Sequence, residues 1–176
     1  GKVWAADVKK SLGDVWKFRT LFDGEKMMPR ARSAGFNATN PGVKRELRWT
    51  DMDTLHFPQG IVRNWDNLDE VEIFAGQPRM DRKQLTLGSV DEKNLVAKTT
   101  VPATYNITAQ GAHDGKPSCW VENVLEALDE PGEWVLNSKA GTLYMWPEGK
   151  RPGSEITVPK LRELILVEGK NVDALD

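Results

Sequence analysis

Residues 120–147 read WVENVLEALDEPGEWVLNSKAGTLYMWP and gather three tryptophans, one tyrosine and five carboxylates (Glu122, Glu126, Asp129, Glu130, Glu133). Two chemistries can use such a run. Paired acids beside aromatics suit cleavage of a glycosidic bond, in which one carboxyl protonates the leaving oxygen while the other attacks or activates water. The same letters also spell a helix, a turn and a hairpin. Val121, Val124, Leu125 and Leu128 recur at helical spacing, so VENVLEAL predicts a short helix with Glu122 and Glu126 on its opposite, solvated face. Asp129-Glu130-Pro131-Gly132 then stops it, with Pro131 pre-set for the first central turn position and Gly132 free to take positive φ at the second. Glu133 to Asn137 and Thr142 to Trp146 follow as two strands joined by SKAG, with Trp134 and Leu136 on one face and Leu143 and Met145 on the matching face of the partner. Read this way the acids belong to a helix face and a turn, and the stretch is scaffolding.

Working outward, the rest of the chain carries the same β-type texture. Val15 to Phe22 alternates partially and stops at Asp23-Gly24, a hairpin signal, after which EKMMPRAR continues extended because Pro29 is unsuited to a helix interior. AGFNATNPGV at 34–43 predicts a loop. Short segments at Glu46–Trp49, Leu55–Phe57, Gly60–Arg63, Val71–Phe74, Gln84–Leu87, Leu95–Val101 and Tyr105–Thr108 are each bounded by turn residues, the spacing of an antiparallel β-sandwich. The expected fold is therefore mainly β: an antiparallel sandwich with one short helix and hairpins.

Bulk properties narrow the function classes. The chain has 176 residues, enough for one domain with a real core. Its 24 basic and 26 acidic residues give a net charge of −2, which supplies no field to gather nucleic acid or acidic lipid, so neither nucleic acid nor membrane is expected as a partner. Cys119 is the single cysteine, and His56 and His113 lack the companions a zinc site needs; neither metal nor cofactor is expected. Both histidines also lack a neighbouring nucleophile pattern, so they are read as non-catalytic. GKVWAADVKK opens without an initiator methionine or a signal pattern, and the sequence is expected to be a domain taken from a longer protein.

Five residues stand out as ligand-binding candidates. Arg30 and Arg32, in KMMPRAR, offer guanidinium forks to an anionic sugar or phosphate, against the plainer reading of a strand with one polar face. Trp65 and Asp66, in IVRNWDN, sit where a loop could present an indole platform and a carboxylate to a sugar ring, and Trp4 is a further candidate platform. Asp129, Pro131 and Gly132 are assigned to the structural turn.

At this point a resemblance adds to the residues. WVENVLEALDEPGEWVLNSKAGTLYMWP is similar to a segment of large bacterial proteins with a right-handed parallel β-helix, glycoside hydrolases of β-xylosidase-like and fucosidase-like type among them. VWKFRTLFDGEKMMPRARSAGF resembles the run that opens the same region, and TVPKLRELILVEG resembles the return to the β-helix. The chain departs from that pattern at AGQPRM after EVEIF, and at Ala34, where the pattern has proline. The resemblance implies residues 1–160 as a β-sandwich module and 161–176 as a return segment toward a β-helix that lies outside this sequence. It also implies an extracellular or periplasmic setting, the remainder of the same polypeptide as principal partner, and catalytic acids on the β-helix, so no catalytic residue is assigned here. Three functions follow for comparison: a non-catalytic accessory module that supports or borders the substrate groove, an independent carbohydrate-binding module, and a small hydrolase using Glu122 and Glu126.

Overall fold

Gly24 takes φ +60° as the first central residue of a two-residue turn, the position a type II′ hairpin reserves for glycine. The turn joins β2 (Leu21–Asp23) to β3 (Lys26–Met28), with Asp23 opposite Lys26. The computed structural model describes residues 2–13, 17–39, 52–76, 82–103, 107, 117, 119–161 and 165–166, the side chains of residues 76, 82 and 83 excepted. Within them the fold is mainly β, sandwich-like, with three antiparallel sheets. The largest has the order β4 (Thr54–His56), β7 (Val96–Thr99), β6 (Arg82–Asp91), β5 (Glu72–Gly76), β8 (Cys119–Glu122). The second places β10 (Thr142–Met145) between β1 (Trp4–Asp7) and β9 (Trp134–Asn137), and the third adds β11 (Ile156–Thr157) to the β2–β3 hairpin.

Segment 30–39 stitches the sheets together. Arg30 bridges Trp134, Arg32 bridges Glu122, Phe36 bridges Cys119 and Thr39 bridges His56, so one extended run lies along β9, β8 and β4 in turn. Alternation along it sends Ala31 fully inside and leaves Arg30 and Arg32 on the outer face.

The larger core contains Leu55, Ile73, Leu87, Val121 and Val135, and the smaller contains Phe18, Leu21, Met28, Trp134, Leu136 and Met145. Strand β9 faces both: Trp134 and Leu136 enter the smaller core, Val135 the larger. The predicted pairing of faces in this hairpin is found, with Leu143 opposite Leu136 and Met145 opposite Trp134.

The helix expected over VENVLEAL is absent. Residues 119–122 form β8, Asn123 turns at φ +67°, and only a 3-10 turn, Leu125–Ala127, follows. Asn123 decides this: its amide donates to the Leu136 carbonyl at 2.9 Å while its Oδ1 accepts the Leu136 N–H at 2.9 Å. A buried side chain thus completes the backbone pairing of β9 and fixes the bend, which helical geometry would forbid. The short α-helix lies instead at α1 (Val8–Leu12), capped by Asp7, whose carboxylate accepts the Lys10 N–H at 2.9 Å. Gly60–Arg63, expected as a strand, is a turn and bend. Ile165 and Leu166 of the return segment are exposed and outside any strand. The expected strand Glu46–Trp49, and all of Tyr105–Thr108 but Ile107, lie outside the described residues.

Candidate functional site

The face of β9 and β10 turned away from the smaller core carries Val135, which is buried in the larger core, with Asn137 and Tyr144 beside it. Two short segments wall this face: the loop Trp65–Asn67, held by the 3-10 turn Leu68–Glu70, and the turn bearing Leu125 and Glu126. Together these residues line an open groove of about 370 Å³, within the range of small-ligand sites.

Its walls are fixed by polar contacts. The Trp65 indole N–H donates to Glu126 Oε2 at 3.0 Å, and Arg63 stands 3.9 Å from the other oxygen of that carboxylate. Lys139 donates to the Asp66 carbonyl and pairs with Asp69 at 3.3 Å. Asn137 Oδ1 accepts the Ala140 N–H at 2.9 Å. The sequence candidates Trp65 and Asp66 are therefore brought together, with partners that sequence reasoning passed over. Tyr144 and Asn137 could have been found by alternation, since they fall opposite the core positions Leu143 and Leu136 on their strands.

Arg30 and Arg32 lie elsewhere, on the outer face of the largest sheet. Glu72 and Glu122 are direct cross-strand neighbours there, as are Phe74 and Trp120, whose rings stack with centroids 5.2 Å apart. Glu72 is gripped by Arg30 Nη1 at 2.6 Å and Arg19 Nη1 at 3.1 Å, and it also accepts a bond from Gln84. Arg30 continues over the Trp134 ring at 5.5 Å, and its buried Nε has no hydrogen-bond partner among the described residues. Glu122 accepts the Trp120 indole N–H at 2.9 Å, and the Arg32 guanidinium lies 5.9 Å from the Trp120 ring centre. Burial lifts the Glu122 carboxyl above the usual carboxylate range; the Trp120 N–H, Arg30 and Arg32 oppose that and the Glu72 charge adds to it. Both Glu72 oxygens are occupied and its side chain is only 4% exposed. This is the environment of an ion cluster locking segment 30–32 to β5 and β8.

The remaining candidates scatter. Trp4 is half exposed on β1, where it is paired with Met145 and so faces the smaller-core side. Glu122 and Glu126 do not share a helix face: the first bonds Trp120 and the second bonds Trp65. Asp129, Pro131 and Gly132 form the expected turn, with Gly132 at φ +97° and the Glu133 N–H on the Glu130 carbonyl at 3.4 Å. Glu133 closes it from above, accepting the N–H groups of Asp129 and Glu130 at 3.2 Å each. His56 is on β4, and His113 lies outside the described residues. Among the described residues no three His, Cys, Asp or Glu side chains gather as a metal site would require, and no helix is long and apolar enough to cross a membrane.

These features define a mainly-β, sandwich-like protein with an aromatic-walled groove on one sheet. No protein family and no curated protein matches the sequence. A solved structure described as a glycoside hydrolase superposes on 99% of this chain with a TM-score of 0.65 at 23% identity, and the chain covers 32% of that structure. The chain thus has the fold of part of a glycoside hydrolase and spans about a third of its length.

Proposed function

We propose that this chain is a non-catalytic accessory module of an extracellular or periplasmic parallel β-helix enzyme of the glycoside hydrolase kind, supporting or bordering its substrate groove. The observation that carries the reading is the superposition of almost the whole chain on a third of a larger glycoside hydrolase. The acid inventory agrees: Glu72 is clamped by two arginines, Glu122 and Glu126 serve different tryptophans, and Glu133 closes a turn. Its partner in this reading is the remainder of its own polypeptide. A panel of aryl glycosides and polysaccharides offered to the 176-residue chain tests it, with no turnover expected. Hydrolysis by the purified chain that disappears in Glu122→Gln would overturn the proposal in favour of a small hydrolase. The groove at Trp65 favours a second reading, an independent carbohydrate-binding module, which sugar binding by the chain alone would support.

A further inference from the structure

The groove beside Trp65 differs from the other polar clusters in what its side chains leave unused. In the Arg30–Glu72 cluster the carboxylate is saturated by protein partners. In the groove, the Asp66 carboxylate, the Asn67 amide, the Asn137 Nδ2 and the Tyr144 hydroxyl have no hydrogen-bond partner among the described residues. Asp66, Asn67, Asn137 and Tyr144 line the groove together with the apolar Trp65, Val135 and exposed Leu125. Unspent donors and acceptors set around an aromatic surface fit a ligand that is apolar on its faces and hydroxylated on its rim.

Charge narrows the class. The residues that line the groove include two carboxylates, Asp66 and Glu126, and no lysine or arginine. Like charges set side by side disfavour binding, so this lining favours a neutral ligand over an anionic one. Carboxylate and amide groups instead suit pairs of neighbouring hydroxyls, which donate to the first and both donate to and accept from the second. Trp65 is held in place, its indole N–H tied to Glu126 and part of its ring packed against the larger core.

We infer that this groove binds a neutral pyranose unit, its C–H face stacked on Trp65 and its hydroxyls on Asp66, Asn67 and Asn137. The inference deepens the binding-module reading and stands apart from the accessory role. The test titrates the 176-residue chain with cellobiose, xylobiose, lactose and digalacturonate, following amide chemical shifts and heat. Saturable binding of a neutral disaccharide, with a dissociation constant on the order of 1 mM and shifts centred on residues 65–67 and 137, is the expected result. Asp66→Ala and Asn67→Ala, both at positions whose side chains hold nothing else together, should each weaken it at least about ten-fold, about 1.4 kcal/mol, while Trp4→Ala should leave it unchanged. Preference for digalacturonate would overturn the neutral assignment and keep sugar binding. Binding abolished by Trp4→Ala or Arg32→Ala instead would overturn the site. No shift with any of the four sugars would sink both the inference and the binding-module reading, leaving the accessory role untouched.

Discussion

Asn123 and Gly132 show how single residues hold positive φ for opposite reasons. Gly132 does so because it lacks a Cβ: at φ +97° any side chain is strained, although the nearest obstacle, the exposed Glu148 side chain at 3.3 Å, can move aside. Gly132→Val should therefore lower stability by about 1–3 kcal/mol through the backbone alone, read as a shift in denaturant midpoint; an unchanged midpoint would mean the turn tolerates negative φ. Asn123 holds φ +67° because its amide is bonded to both backbone groups of Leu136. Asn123→Ala should cost about 3 kcal/mol by stranding those buried groups, and Asn123→Gly about 1 kcal/mol less, since glycine relieves the left-handed strain. Equal losses would show that strain contributes nothing. Proton binding supplies another test. Glu70, Glu122 and Glu133 are each held above their ordinary value of 4.5, burial being the first cause in all three. A carboxyl that binds its proton more tightly when folded contributes stability below its unfolded value and loses it as pH rises through the folded one. The thermal midpoint should thus decline as pH rises above about 4.5, and Glu122→Gln, which keeps an acceptor for Trp120, should flatten that decline. A slope identical to the wild type would refute the assignment.

Elements were legible where their cause was local. The β2–β3 hairpin follows from Gly24 and the β9–β10 hairpin from alternation in EWVLN and TLYMW. VENVLEAL misled because Val121, Val124 and Leu128 are buried in either conformation, so their spacing could not separate a helix from a strand followed by a turn. The deciding bonds run from Asn123 to Leu136, between segments whose pairing no periodicity encodes. The groove divides in the same manner. Trp65 and Asp66 could be chosen from one loop, but Asn137 and Tyr144 reach them only through the β9–β10 fold. The partner that Arg30 takes was not legible, because Glu72 comes from a strand forty-two positions on. That cluster joins a segment to a sheet, and it is testable as such. Glu72→Leu should cost about 3–5 kcal/mol by leaving Arg30 buried without its counter-charge. Arg30→Met combined with it should recover most of the loss in a double-mutant cycle, and additive losses would mean the two do not interact.

For the whole molecule, β9 is a wall common to two cores, with Trp134 and Leu136 on one side and Val135 on the other. Neither core can open without exposing residues of the other's boundary, so scanning calorimetry should record one transition, with calorimetric and van't Hoff enthalpies in agreement. Two resolved peaks would show that the cores melt separately. The same wall governs how the protein comes into being on a ribosome. Trp134 donates its indole N–H to the Met28 carbonyl at 2.9 Å, across a separation of 106 residues, and β1 has its one described strand partner at Thr142–Met145. Trp134, Leu136, Leu143 and Met145, which close the smaller core over Phe18, Leu21 and Met28, are therefore made long after them. Translation takes on the order of 10 s to cover that distance, far longer than a chain needs to collapse. Throughout that interval Phe18, Leu21 and Met28 are without their lid, and the growing chain depends on whatever shields them in the cell until Trp134 leaves the exit tunnel.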